Sequence, residues 1–171
     1  MEIKELIRKE ELDKRIEELA TSIDADYKGK EIVAICVLNG AVYFGTELTL
    51  KMKTKMKMEF VKISSYEGKE STGKIVKQLD IPREKVEGKD VLIIEDIVDT
   101  GISMNYLLEH LKQKDPNSLK VCVLLSKPSR REVEVPIDYL GFEIPNKFVV
   151  GYGFDDEDGF NRNLPYVGYK D

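Results

Sequence analysis

Histidine and cysteine are scarce in this chain. His110 is the only histidine among 171 residues, and Cys36 and Cys122 are the only cysteines. A single histidine excludes a metal site built on two, and leaves any serine–histidine–acid triad dependent on His110. His110 falls off the apolar stripe of its helical segment, which predicts a solvent-facing, non-catalytic side chain. Two cysteines cannot supply a four-cysteine zinc site. Both lie inside apolar runs and read as buried thiols of a reducing compartment. No apolar run approaches the ~18 residues of a membrane helix. Met1 to Leu6 (MEIKEL) lacks the long apolar stretch of a secretory signal. The expectation is a cytoplasmic protein that does not enter the membrane. Excess positive charge is missing too: the formal net charge is −5, which argues against nucleic-acid binding.

What is present describes a globular domain. Apolar residues make up 42% and charged residues 35%, too apolar for a disordered chain. The length suits one domain with a sizeable core. Helix and strand patterns alternate, the signature of an α/β sheet. Leu12, Ile16, Leu19, Ala20 and Ile23 mark one face of a helix ending before Gly29. Ile32 to Leu38 (IVAICVL) is a continuous apolar run and reads as a strand buried on both faces. Asn39-Gly40 turns the chain into a helix over Val42 to Leu50. Met58 to Ile63 reads as a strand and Ser64 to Lys74 (SSYEGKESTGK) as a mobile loop. Val91 to Glu95 and Val121 to Leu125 are buried strands, with a helical stripe at Met104, Leu107, Leu108 and Leu111 between them. Asp138 to Phe142 and Phe148 to Gly151 are short strands, and the last ~20 residues read mostly as loop.

The strongest chemical signal is Val91 to Ser103, VLIIEDIVDTGIS. A buried strand runs into the adjacent acids Glu95 and Asp96, and Asp99-Thr100-Gly101 then leads into a helix. In open α/β sheets, ligands bind beyond the carboxyl ends of the strands. A helix N-terminus offers outward N–H groups and a favourable dipole for an anion. Thr100 and Ser103 add hydroxyl donors, and Gly101 allows close backbone approach. The combination reads as a phosphate cup beside carboxylates suited to ribose hydroxyls or a metal-bound polyphosphate. The bland alternative makes Asp99 a helix cap and Glu95/Asp96 a solvated strand end. Paired carboxylates at a buried strand end need partners, which favours the functional reading.

This run resembles the phosphoribosyl-diphosphate signature of type I phosphoribosyltransferases, and nearly the whole chain resembles their hypoxanthine-guanine branch. Leu38-Asn39-Gly40-Ala41 is similar to the pyrophosphate loop, where the family often has a cis peptide. Ser64-Ser65-Tyr66 with Ser71-Thr72-Gly73 is similar to the lid, Leu124 to Pro128 (LLSKP) to the purine-binding lysine segment, Asp138 to Gly153 to the purine hood, and Arg162 to Tyr166 (RNLPY) to the tail. The resemblance implies one domain over 1–171, with a mostly parallel central sheet flanked by helices. It also implies a small hood drawn from the N-terminal segment and about 128–171. The implied reaction transfers 5-phosphoribose to N9 of hypoxanthine or guanine, giving IMP or GMP and pyrophosphate, with Mg²⁺ as cofactor and a homodimer or homotetramer as the assembly.

The implied roles fall on numbered residues. Glu95 and Asp96 hold the ribose hydroxyls and face Mg²⁺. Asp99 is the general base at purine N7. Thr100, Gly101, Ile102 and Ser103 wrap the 5′-phosphate. Leu38, Asn39, Gly40 and Arg162 bind pyrophosphate, and Ser65 and Tyr66 belong to the lid. Lys127 donates to the purine 6-oxygen and Phe148 stacks on the ring. The carbonyls of Val149 and Asp155 accept from the purine edge, and the Asp155 side chain helps hold Mg²⁺. The residue types suit these tasks: lysine has donors only, an aromatic ring offers a stacking face, and Mg²⁺ takes one or two carboxylates with phosphate oxygens.

The chain departs from the family at three places. Asn39 stands where many members have lysine, Asp156 where many have tyrosine, and Asp155 to Arg162 (DDEDGFNR) is one residue longer than usual. Rival motifs fail on their own terms. Gly68 to Lys74 approaches a P-loop, but Ile75 replaces the Mg²⁺-binding hydroxyl and the flanking strand and helix are missing. Gly151-Tyr152-Gly153 lacks the rest of a dinucleotide fingerprint. Asp156, Asp158 and Gly159 hint at a calcium loop, but Phe154 and Pro165 occupy its first and last ligand positions. That acidic run reads as a solvated turn or part of the Mg²⁺ site. A non-enzymatic regulator with the same signature is the other reading; Asp99, Lys127 and Phe148 together argue for catalysis.

Overall fold

The computed structural model describes residues 2–65 and 75–171. In chain order its elements are β1 (Lys4–Ile7), α1 (Lys9–Asp26), β2 (Glu31–Leu38), α2 (Val42–Lys51), β3 (Lys55–Ser65), β4 (Ile75–Leu79), β5 (Asp90–Val98), α3 (Ile102–Lys112), β6 (Ser118–Ser126), β7 (Tyr139–Glu143), β8 (Val149–Val150) and β9 (Val167–Tyr169). Six strands form the central sheet in the order β4-β3-β2-β5-β6-β7. Strands β3, β2, β5, β6 and β7 run parallel, and only β4 is antiparallel. The chain is therefore α/β, with helices on both sheet faces.

The unbroken apolar runs of β2 and β5 follow from that double cover. Ile32 and Ala34 of β2, with Leu92 and Ile94 of β5, pack on one face against Leu12, Ile16 and Leu19 of α1 and Phe44 and Leu48 of α2. The alternate residues Val33, Ile35 and Val37, with Val91 and Ile93, pack on the other face against Met104, Leu107 and Leu111 of α3. Leu12, Ile16, Phe44 and Leu111 are wholly buried, and truncating such a side chain to alanine costs about 2–5 kcal/mol. The α1 N-terminus is closed by Glu11, whose Oε2 accepts the Arg8 N–H at 3.0 Å.

A second sheet, β1-β9-β8, is antiparallel and joins the two ends of the chain. Lys4 pairs with Tyr169 and Glu5 with Gly168. The last ~20 residues are mostly loop, as expected, and β9 is the one named strand among them. Ser64 and Ser65 leave the expected loop, because they continue β3 opposite Val76 and Ile75 of β4. The rest of that loop, with Tyr66 of the expected lid, lies outside the described residues. Strand β5 runs three residues past Glu95, held by β6 through the pairs Ile97–Leu125 and Val98–Ser126. His110 does not face solvent. Its side chain is 15% exposed, its Nε2 lies 2.8 Å from Asp80 Oδ1, and its ring lies parallel to Tyr106. Both cysteines are buried and unpaired; burial, with Glu95 and Asp96 nearby, pushes the Cys36 thiol up to about 12.

No helix among the described residues is long and apolar enough to cross a membrane.

Candidate active site

A cavity of about 470 Å³ opens at the carboxyl ends of β2, β3 and β5, lined by residues 95–101, Ser103, Gly40, Ser64 and Arg130 among others. It lies where the strand order turns from the β2 side to the β6 side, the position expected for a ligand in an open parallel sheet. A hollow of about 270 Å³ at the opposite sheet end is lined by Lys55, Lys85, Glu31 and Glu59. Those charges already satisfy one another, with Lys55–Glu31 at 2.8 Å and Lys85–Glu59 at 3.0 Å.

Glu95 and Asp96 form the floor. Asp96 N–H donates to Glu95 Oε1 at 2.9 Å, and Ile97 N–H donates to Asp96 Oδ1 at 2.6 Å. Burial raises both carboxyls, Glu95 the more strongly because Asp96 adds repulsion. At Asp96 the opposing influences are the bonds from Glu95 and Ile97 and the charge of Arg162. Two crowded, desolvated acids are relieved by hydroxyl donors or a cation.

The loop after β5 is fixed by residues 127–133. Lys127 N–H donates to Val98 O at 3.0 Å, and the N–H groups of Glu132 and Val133 donate to Thr100 O at 2.9 and 3.0 Å. Arg131 donates to Asp99 O at 3.2 Å and to Ser126 Oγ at 2.6 Å. Gly101 is required twice over: its φ is +90°, and a Cβ there would lie 2.2 Å from Val133 O. Gly101 is also the N-cap of α3, so Asp99 is not its cap. Thr100 Oγ1 accepts the Ile102 N–H at 3.3 Å, and Ser103 lies in the first turn of the helix.

Asp99 stands at the cavity mouth between two cations. Its Oδ1 accepts from Arg130 Nε at 3.1 Å, and its Oδ2 lies 3.9 Å from Lys127 Nζ. Lys127 is only 7% exposed. Burial and Arg130 push its ammonium down, and Asp99 pulls it back up.

The peptide between Leu38 and Asn39 is cis. Gly40 follows, and a Cβ there would overlap Asp96 Oδ2 at 1.6 Å; a Cβ on Gly153, at φ +108°, would lie 2.1 Å from Gly40 O. The turn after β2, the β5 carboxylate and the segment after β8 thus meet without room for side chains. Arg162 pairs with Asp155 at 2.7 Å and donates to Gly153 O. Phe148 is 47% exposed just before β8, unlike a core residue, whereas Val149 is buried. Ile102 is exposed on the first turn of α3.

Among the described residues no three histidine, cysteine or acidic side chains cluster into a metal cage. The available donors are the Glu95/Asp96 pair and Asp155. Among the described residues no cage joins all three, so Mg²⁺, which takes one or two protein carboxylates and completes its shell with phosphate oxygens and water, would rest on the Glu95/Asp96 pair or on Asp155. Asp156 is not available to a metal: Asp158 N–H, Phe160 N–H, Asn161 Nδ2 and Lys170 Nζ all donate to its carboxylate. The acidic run is therefore neither a calcium loop nor a freely solvated turn at Asp156. Sequence reasoning passed over Arg130, Arg131, Gly153 and the fastening role of Asp156. Only the basic pair following Lys127-Pro128 offered a signal for the first two.

Buried acids beside a helix N-terminus at the carboxyl edge of a parallel sheet define a class that comparison makes explicit. The phosphoribosyl transferase domain model matches residues 2–157, so the chain belongs to that family. The chain is 42% identical over 168 residues to the hypoxanthine-guanine phosphoribosyltransferase of Bacillus subtilis, covering 96% of this chain and 91% of that protein. It is 44% identical over 168 residues to the bifunctional protein TilS/HprT of Listeria monocytogenes, covering 96% of this chain and spanning only 25% of that relative's length. The crystal structure of a hypoxanthine-guanine phosphoribosyltransferase from Bacillus anthracis superimposes with a TM-score of 0.91 at 39% identity, covering 99% of this chain and 100% of that one. Within the phosphoribosyltransferases the chain is a member of the hypoxanthine-guanine group.

Proposed function

We propose that this site transfers the 5-phosphoribosyl group of phosphoribosyl diphosphate to N9 of hypoxanthine or guanine, releasing pyrophosphate. The observation that carries the reading is the position of Asp99, between the buried ammonium of Lys127 and the cup at Thr100 to Ser103. The N9 lone pair forms the bond to C1′ as the C1′–oxygen bond to pyrophosphate breaks. The proton on N7 passes to Asp99, and the electron pair leaves with pyrophosphate. Lys127 donates to the 6-oxygen, Phe148 stacks on the ring, and the carbonyls of Val149 and Asp155 accept from the purine edge. Glu95 and Asp96 bind the ribose hydroxyls, and Thr100, Gly101, Ile102 and Ser103 bind the 5′-phosphate. Arg162 and the Leu38-Asn39-Gly40 backbone receive pyrophosphate. Glu95, Asp96 and Asp155 would offer Mg²⁺ its protein carboxylates, and the ion when bound would supply neutralising charge for the leaving group. Fixed charges and dipoles of this kind supply much of a typical enzyme's rate. The protein works in the cytoplasm as a homo-oligomer.

The test is an absorbance assay with phosphoribosyl diphosphate, Mg²⁺ and each of hypoxanthine, guanine, xanthine and adenine. Adenine carries an amino group where Lys127 needs an acceptor, so its turnover is negligible; a missing partner of this kind is rejected by up to ~10⁴–10⁵-fold. Lys127→Met lowers kcat/KM for hypoxanthine and guanine alike, by about 2–4 kcal/mol. Undiminished discrimination against adenine in Lys127→Met would refute this assignment of the purine pocket.

A further inference from the structure

We propose that Asp156 is a positioning residue for the diphosphate side of the site, acting through Arg162. The inference rests on the proposed role of Arg162 at pyrophosphate. Asp156 opens a turn that ends at Arg162, and its carboxylate binds that turn from within. Oδ1 accepts the N–H groups of Asp158 at 3.0 Å and Phe160 at 2.9 Å. Oδ2 accepts Asn161 Nδ2 at 2.7 Å and Lys170 Nζ at 3.2 Å. The side chain is 8% exposed despite its charge, and its own N–H and C=O also bond inside the turn, to Phe160 O and Gly159 N–H. Lys170 follows β9, so one end of the fastening is anchored on the second sheet.

The other end of the turn reaches the site through Gly153 and Gly40. Arg162 bonds Asp155 at 2.7 Å, donates to Gly153 O, and accepts the Gly153 N–H on its own carbonyl at 2.9 Å. Gly153 in turn sits against Gly40 O, and Gly40 against the Asp96 carboxylate. Asn161, the link between fastening and guanidinium, turns the chain at φ +70°, a left-handed conformation that asparagine tolerates better than most residues. Asp156 thus sets where Arg162 stands without facing the cavity itself.

The test is a double-mutant cycle on the full chain with Asp156→Ala, Arg162→Met and the double variant, reading KM for phosphoribosyl diphosphate and kcat. Asp156→Ala is expected to raise that KM about tenfold or more, since small misplacements of a binding group cost up to ~10²-fold. In the Arg162→Met background the same change is expected to add less than about twofold, because its target is gone. An equal effect in both backgrounds would mean a merely structural role and overturn the proposal. So would an unchanged KM in Asp156→Ala beside a raised one in Arg162→Met. An unchanged KM in Arg162→Met would overturn the role of Arg162 itself. If Asp156→Ala does not fold, Asp156→Asn takes its place: it keeps an acceptor for the turn and loses the anion facing Lys170, with the same outcomes decisive.

Discussion

Arg130 donates from Nε to Oδ1 of Asp99 at 3.1 Å, from a segment that does not neighbour Asp99 in sequence. With Lys127 on the other oxygen, the guanidinium holds a carboxylate that is otherwise 41% exposed at the mouth of the cavity. An ion pair this exposed contributes only about 0–1 kcal/mol to stability, so its main effect falls on orientation. Arg130→Gln is expected to leave the melting temperature within a few degrees of wild type. It is expected to lower kcat about tenfold, and Arg130→Lys to recover part of the loss. Steady-state kinetics beside thermal melts decide it; an unchanged kcat would reduce Arg130 to a surface residue.

The contact between Gly153 and Gly40 gives a second prediction. Alanine at Gly153 meets both a φ of +108° and the Gly40 carbonyl at 2.1 Å, whereas alanine at Gly29, φ +78°, meets nothing within 4 Å. Gly29→Ala therefore carries backbone strain alone, about 1–3 kcal/mol. Gly153→Ala is expected to lower the melting temperature further and to raise KM for phosphoribosyl diphosphate, which Gly29→Ala leaves alone. Equal melting temperatures and equal KM values would show that the two loops do not depend on close approach.

Asp80 gives a pH prediction away from the cavity. Burial acts to raise its carboxyl, but the hydrogen bonds from His110 and the Ile81 N–H, with the charges of His110 and Lys114, hold it at about 2. A carboxyl depressed in the folded state contributes stability that is full above the unfolded value, ~3.9, and is lost as pH falls through the folded value. Urea midpoints for wild type and Asp80→Asn are expected to differ above pH 4 and to converge as pH approaches 2. A difference independent of pH would mean that Asp80 acts through packing alone.

The central sheet was legible because doubly covered parallel strands read as unbroken apolar runs, as in Ile32 to Leu38 and Val91 to Ile94. The carboxylate pair and the turn into α3 at Thr100 to Ser103 were legible because acids after a buried strand and a glycine before a helix are local signals. β1 and β9 were not: they span four and three residues and pair with each other from opposite ends of the chain. His110 looked exposed because its partner, Asp80, follows β4 and reaches it only through the fold. Arg130 showed only as half of a basic pair for the same reason, since it meets Asp99 only once residues 127–133 wrap the loop after β5. Asp156 carried the chemistry of a metal ligand, and only the turn shows its oxygens already occupied.

The most direct measurement of the central claim is single-turnover and steady-state transfer to hypoxanthine by Asp99→Asn, with binding of phosphoribosyl diphosphate measured separately. Asparagine keeps the shape of the side chain but cannot take the N7 proton. The expected result is a kcat lowered about 10²–10⁴-fold, with phosphoribosyl-diphosphate affinity within about twofold of wild type. Wild-type turnover in Asp99→Asn would contradict the claim outright, leaving Asp99 only as the ionic partner of Lys127 and Arg130.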